Sequence, residues 1–437
     1  MMKGLKIFQL SAVYLFRYRR RYFFLFLALM FGFGIVTVIT SIKDGMYENV
    51  YRAAQSHYAG DISVVGYDRD SLQTYHLAQN DIAAVFAALH NAGLAESRTV
   101  MRTLFGNKGL IYFNGDSLRL KYVIGLDWDR ETIHLNALDY AEPPLESPRG
   151  EQEILISAPA AAALGIRRGD RLFLETETRR GQKNAGEFTV TGIVNDSTIF
   201  GYHKVYISRT VLNRLLDYGA DDCSTIGLFL ENRGRVEAAR VSLLDELSKS
   251  AQTGPLVFDR DELSLAITGS WKGVKIFVLS LPVYLSEVSD LLNAMNILTY
   301  FLYVMMLLII FVSAAVTYRL ILHERARELG TMRVIGFYEA DVIQALTLEA
   351  VELGLVSLAA GFVFARLVNR ALGLLSFSWF PGFEIFLQKG RLSALYLPET
   401  TLINTAALFA ILLLAVWFPA FKSSRNSLPN MLTGGAL

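Results

Sequence analysis

Long uncharged apolar runs alternate in this chain with segments whose polarity changes every two, or every three to four, residues. A helix crosses the hydrocarbon core of a bilayer with about 20 mostly apolar residues. Residues 22–42 (YFFLFLALMFGFGIVTVITSI) carry no charge and predict one span, 298–322 a second, and 402–421 (LINTAALFAILLLAVWFPAF) a fourth. The third, 342–364, is interrupted by Glu349 and Glu352. Carboxylates facing lipid are costly, so both are expected in a bundle interior or at the interface rather than in a proton relay. The first run exceeds the ~7–15 apolar residues of a cleaved leader, and no A-x-A site follows it, so a permanent anchor is expected.

Between the first two spans, residues 43–297 read as a separate domain followed by a stalk. DISVVGY (61–67) alternates as a strand, and 80–93 reads as a capped helix closed by Gly93. RTLFG, GLIYF and LKYVIGL follow as strands. A second β–α–β candidate comes late, as STIGLFL, GRVEAARVSLLDELSK and PLVF (255–258). Two such units at the ends suggest one split α+β lobe. The stretch 150–207 between them reads as an inserted, mostly β lobe, with turns at Arg168-Gly169-Asp170 and around Gly181 and Gly186. Residues 270–285 are apolar but too short and interrupted to span, which predicts an amphipathic segment at the membrane surface. The fold class is therefore membrane α-helical, with four transmembrane helices and a large α+β extracytoplasmic domain inserted between the first and second.

Composition supports this picture. Of 437 residues, 52% are hydrophobic and the mean hydropathy is +0.33, whereas a soluble chain of this length rarely averages out hydrophobic. The net charge of +1 gives no electrostatic case for nucleic acid. Cys223 is the single cysteine, so neither an intrachain disulfide nor a thiol metal cluster is possible, and it reads as a small hydrophobe. The six histidines are scattered without metal-ligand spacing and read as structural or surface residues. Acidic pairs such as Asp127/Asp129 and Asp221/Asp222 read as turn residues or caps, and no nucleophile–base motif occurs. No G-x-x-x-x-G-K-[ST] is present to cradle a nucleotide, so no catalytic residue, cofactor or metal is expected in the chain itself.

Lys and Arg set the expected orientation. Lys3, Lys6, Arg17, Arg19, Arg20 and Arg21 precede the first span, Arg319, Arg325, Arg327 and Arg333 flank or occupy the segment between spans two and three, and Lys422 and Arg425 follow span four. Both termini (1–21 and 422–437) and the 323–341 segment are thus expected in the cytoplasm. The loop 365–401, on the other side, dissents with Arg366, Arg370, Lys389 and Arg391. It is also rich in aromatics (Phe377, Trp379, Phe380, Phe383, Phe386), suited to the membrane interface or to a partner.

The segment HERARELGTMRVIGFYEADVIQ joins spans two and three. Glu324, Arg325, Arg327 and Glu328 form opposite-charge neighbours at helical spacing, while Leu329, Met332, Val334 and Ile335 supply an apolar side. Gly336 permits a helix exit, and Glu339 and Asp341 suit the start of the next helix. A short rigid helix between two spans can pass a push to both; a solvated loop whose charges merely set topology is the alternative.

ERARELGTMRVIGF resembles the signature of the MacB/FtsX/LolCDE-type ABC transporter permeases, E-[RK]-x-[RK]-E-[IL]-G-x-[LM]-[RK]-x-[IL]-G. Other matches occur in order: Arg17–Arg21 and Lys43-Asp44-Gly45-Met46 around span one, Gly60-Asp61-Ile62-Ser63-Val64, the pattern from Ile156-Ser157 through Leu164-Gly165 and Gly169-Asp170 to Val190–Val194, and Phe418–Ser424 through Pro429 and Leu432. Ser427-Leu428-Pro429 departs from the usual acidic-Pro pair. The resemblance implies a bacterial inner-membrane subunit whose coupling helix docks on a separate ABC ATPase dimer that binds the ATP, beside a second permease, a copy or a paralogue. It assigns coupling to Glu324, Arg325, Arg327, Glu328, Leu329, Gly330, Arg333 and Gly336. The leading expectation is extraction of lipoproteins or another amphipathic substrate from the membrane, closest to the LolC/LolE branch. A mechanotransmitter acting on a cell-wall hydrolase, which usually has a smaller external domain, and a drug or peptide efflux permease are the alternatives.

Overall fold

The computed structural model describes residues 19–68, 74–145, 150–195, 202–269, 271–336, 338–377, 379–380 and 383–424. Lys3, Lys6, Arg17, Arg425, Pro429 and Leu432 lie outside them. In chain order the elements begin with α1 (Arg19–His57), β1 (Ile62–Asp68), β2 (Thr74–Tyr75), α2 (Gln79–Asn91), β3 (Arg98–Gly106), β4 (Leu110–Phe113), β5 (Asp116–Arg119) and β6 (Tyr122–Leu126). Next come α3 (Thr132–Ala137), β7 (Tyr140–Glu142), β8 (Glu153–Ser157), α4 (Ala158–Leu164), β9 (Arg171–Glu177), β10 (Lys183–Val194), β11 (Lys204–Ser208) and α5 (Arg209–Leu216). The chain continues through β12 (Thr225–Phe229), α6 (Val236–Leu247), α7 (Arg260–Thr268), β13 (Val274–Ser280) and α8 (Leu281–Glu324). It ends with α9 (Ala326–Val334), α10 (Glu339–Leu372) and α11 (Pro398–Ser424). Two compact units result: a sheet unit, Asn49–Asp290 with Phe380–Lys389, and a helical unit made of the remainder.

In the sheet unit the strand order is β13-β1-β12-β3-β6-β11-β8-β10-β9-β4-β5, with β2 on β1 and β7 on β10. The first four strands are antiparallel neighbours. With α2 and α6 on one face they form the expected β-α-β-β-α-β lobe, split by the residues between β3 and β12. Its fourth strand is β13, not residues 255–258, which form no strand. Nor is 270–285 a membrane-surface segment: β13 pairs with β1 from Val274 to Ser280. Ile276 and Val278 pack under α2 and α6, while Phe277 and Leu279 meet Val257 and Leu263 on the opposite face. A strand covered on both faces is apolar throughout, so its sequence loses the two-residue alternation that marks a strand.

The inserted lobe begins earlier than residue 150, because β4, β5 and β6 belong to it, and β6 joins the two lobes by pairing with β3. Ile154, Ile156, Leu174 and Val190 share its core with Leu212 of α5. Gly181 does sit in the β9–β10 turn, at φ +78°. Gly186 does not; it lies within β10 opposite Leu174. Within this same unit, Ile385, Phe386 and Leu387 of the aromatic loop are buried, and Asn49 Nδ2 donates to the Phe386 carbonyl at 2.9 Å. Phe386 is thus a packing residue, whereas Trp379 and Phe380 are exposed.

Among the described residues, four helices, which supply the helical unit, are long and apolar enough to cross a membrane: Tyr22–His57, Val288–Glu324, Ala340–Leu372 and Pro398–Trp417. The first two overrun the apolar stretches read from sequence; α8 has 44 residues, about 66 Å of helix. Leu25, Leu29 and Phe33 of α1, Ile310, Ala314 and Tyr318 of α8, Ala350 and Leu353 of α10, and Leu408 and Leu412 of α11 form the core. Lipid offers these side chains no less apolar surroundings, so close packing and polar contacts must hold the helices together. Gly34 and Gly361 allow α1 and α10 to touch, since a Cβ on Gly361 would stand 2.7 Å from the Met30 carbonyl oxygen. Asn369 donates to Ser41 Oγ (2.8 Å) and Tyr396 Oη (2.7 Å), and Asn404 to Thr40 Oγ1 (3.0 Å).

Candidate functional site

The segment joining α8 to α10 is built in three steps. Helix α8 stops at Glu324, Arg325 forms the joint, and α9 then runs for nine residues. Gly336 ends the segment at φ +103°, a backbone conformation that side chains strain to reach. Asp341 accepts a hydrogen bond from the Tyr338 N–H at 3.2 Å and so caps the start of α10, as its position suggested. Met332 is half-buried and packs against Leu322, Val342 and Leu346, seating α9 between its neighbours.

The residues expected to act in coupling separate into distinct environments. Glu324, Arg327, Glu328 and Gly336 are exposed. Gly330 is buried, and the side chains of Leu329 and Arg333 lie outside the described part. The apolar side does not turn inward as a whole, since Val334 and Ile335 are 64% and 74% exposed and Tyr338 is exposed beside them. Arg325 stands apart from the others. Its side chain is only 2% exposed, as is fitting for the inside of a bundle rather than a docking surface.

Arg325 meets Glu349, the carboxylate that interrupts the third span. Its Nη1 lies 2.8 Å from Glu349 Oε2 and its Nη2 3.3 Å from Oε1, a forked contact of the kind guanidinium groups make with carboxylates. The Tyr22 hydroxyl donates to Glu349 Oε2 at 2.6 Å and accepts from Arg325 Nη1 at 3.1 Å, closing a ring of three groups. Glu349 is therefore placed in the bundle interior, one of the two locations its sequence context allowed; Glu352 is half-buried. Arg325 also lies 3.5 Å from Glu328, one turn along α9. The sequence signal for Glu349 was a charge in an apolar run; Tyr22, one aromatic among many, gave none.

A second constellation lies inside the sheet unit, where α1 ends and α8 begins. Asp61 is fully buried and accepts from Tyr51 Oη (2.7 Å), Gln55 Nε2 (2.9 Å) and the Leu230 N–H (2.8 Å). Its carbonyl accepts from the Leu281 N–H at 3.1 Å, so one residue ties the last turns of α1 to the first residue of α8. The rings of Tyr58 and Tyr284 stack at 4.0 Å beside it. Arg102, buried, donates from Nε to both Glu131 oxygens at 2.9 and 3.0 Å and from Nη2 to Oε2, and through Nη1 to the Ser56 carbonyl at the C-terminal end of α1. Burial, reinforced by the charges of Arg102, Lys204 and Arg98, holds the nearby His134 well below the usual imidazole range. Burial likewise pushes the Cys223 thiol up to about 12, leaving it inert as a nucleophile.

Residues 23–244 match the MacB-like periplasmic core domain family, and residues 300–428 match the FtsX-like permease C-terminal family. The chain is a MacB/FtsX-type ABC transporter permease. The first match runs from α1 to α6, and the second contains α9, α10, α11 and most of the membrane-length part of α8. Such permeases are membrane components that work with an ABC ATPase and are not themselves ATPases. Among solved structures, the periplasmic region of MacB from Actinobacillus actinomycetemcomitans is similar at 11% identity and TM-score 0.32, covering 54% of this chain and 96% of that one. Among curated proteins nothing matches. In this MacB/FtsX-type chain α8 opens at Leu281, which bonds to Asp61, and closes at Glu324, next to Arg325.

Proposed function

We propose that this permease takes up force at α9 from a separate ABC ATPase on the cytoplasmic face and delivers it through α8 to the 62–280 domain on the other side of the membrane. The observation that carries the reading is the exposed block of Arg327, Glu328, Thr331 and Val334 on a short helix, with Ile335 directly after it, joined closely to two membrane-length helices. Charged and apolar groups side by side on an uncovered surface suit a protein partner. In this reading the bacterial inner membrane holds the protein with both termini inside, next to a second permease. The work done outside is extraction of a lipid-anchored or amphipathic substrate such as a lipoprotein. The size of the external domain and its GDISV opening support that choice over control of a cell-wall hydrolase.

A photo-crosslinking residue at Thr331 tests the docking in native membranes. The expected adduct is a polypeptide bearing G-x-x-x-x-G-K-[ST]; adducts only with lipid or with chains lacking that motif would refute it. Glu328→Lys should leave the protein folded yet uncouple ATP turnover from transport. Depletion of the chain should strand lipoproteins in the inner membrane. If lipoproteins sort normally while cell-wall cleavage stops, the substrate assignment is wrong and the hydrolase reading takes its place.

A further inference from the structure

From the ring of Tyr22, Arg325 and Glu349 we infer that these residues are the orienting lock of the coupling segment, setting the direction in which α9 leaves the membrane, and that Arg325 is a positioning residue, not a contact to the ATPase. The inference rests on the docking role proposed for α9. Three observations converge on it. First, the three groups come from three separate elements: the first turn of α1, the one-residue joint between α8 and α9, and the body of α10. Second, the helical path is interrupted at Arg325 alone: its N–H still bonds to the Ile321 carbonyl at 3.0 Å, but α8 ends at Glu324 and α9 starts at Ala326, so this residue is where the direction of the chain can change. Where the Arg325 side chain is held therefore bears directly on the path the chain takes there. Third, that side chain is held by directional contacts: a planar guanidinium on a carboxylate at 2.8 and 3.3 Å, with a phenol bridging both partners at 2.6 and 3.1 Å.

Burying such a set yields little net stability, because desolvation of the two charges offsets most of their attraction. What the arrangement provides is geometry. An apolar contact at the same joint would tolerate rotation of α9, since dispersion is non-directional, whereas a forked ion pair with a bridging hydroxyl fits one orientation. A push on α9 then reaches α1, α8 and α10 together.

The test is made on the full-length chain in lipid nanodiscs without any ATPase. Spin labels are attached at Thr331 on α9 and Phe24 on α1, both exposed, in a Cys223→Ala background. Pulsed electron–electron resonance gives the distribution of the distance between them. The wild-type pair should give one narrow distance. Glu349→Gln should at least double the width of that distribution, and Arg325→Lys, which keeps the charge but loses the fork, should fall between. Because a lone buried charge can prevent folding, the double variant Arg325→Met/Glu349→Leu removes both charges at once. It should fold, retain the thermal stability of the parent, and still show the broadened distance. An unchanged narrow distribution in that double variant overturns the inference, since the joint would then be held without the lock. Failure here leaves ATPase docking at Thr331 standing, while failure of the crosslink leaves the lock standing.

Discussion

Glu131→Gln isolates the electrostatic part of the junction at the end of α1, because the amide nearly preserves the shape of the carboxylate and opens no cavity. Arg102 and Glu131 are both 0% exposed, and the guanidinium uses Nε and Nη2 for the carboxylate while Nη1 serves the Ser56 carbonyl. Removing the negative charge leaves a buried cation with one partner fixed and two donors poorly matched. Breaking a buried ion pair from one side costs about 3–5 kcal/mol. For a domain of this size each kcal/mol lowers Tm by about 2–4 °C, so a drop of about 6–20 °C is expected. Pulse proteolysis of the heated full-length protein in detergent, following loss of the 62–280 region, reads this directly. The double variant Arg102→Met/Glu131→Leu should recover most of the loss, because no lone charge remains. A Glu131→Gln protein melting within about 2 °C of the parent would refute the reasoning.

Asp61→Ala should cost about 2–4 kcal/mol by orphaning Tyr51, Gln55 and the Leu230 N–H, and Asp61→Asn less, as the same proteolysis would show. His134 stays neutral in the folded protein while its unfolded counterpart takes a proton near pH 6.5, so the unfolded state binds more protons as the pH falls. Stability from this residue is therefore intact above about pH 7 and declines below about pH 6.5, by up to about 1.4 kcal/mol per pH unit. His134→Phe should flatten that acid limb by one proton in pH-dependent unfolding. Gly361→Val places atoms against the Met30 carbonyl and should cost about 1–3 kcal/mol, measured as a lower midpoint on heating in detergent.

Much of this protein was legible from residue order because its strongest signals are local. A mostly apolar run of helix length has one economical structure in lipid, so the four long apolar helices among the described residues lie where the sequence predicts them. Gly336 and Asp341 marked the end of one helix and the start of the next through backbone preferences that act within a turn. The split β-α-β-β-α-β lobe also showed through in β1, β3 and β12 with their helices α2 and α6. Where both faces are covered, as in β13, the alternation vanishes and the strand resembles a membrane-surface segment. Tertiary structure alone decided the partners of buried charges. Nothing near Arg325 distinguishes it from Arg327, yet one is sealed against a carboxylate 24 positions away and the other faces out. The same holds for Arg102 with Glu131 and for Asp61 with Leu230. A guanidinium or carboxylate is soluble by default and is buried only where a distant element brings its counter-charge or donors, and that meeting is a property of the packed chain rather than of any window within it.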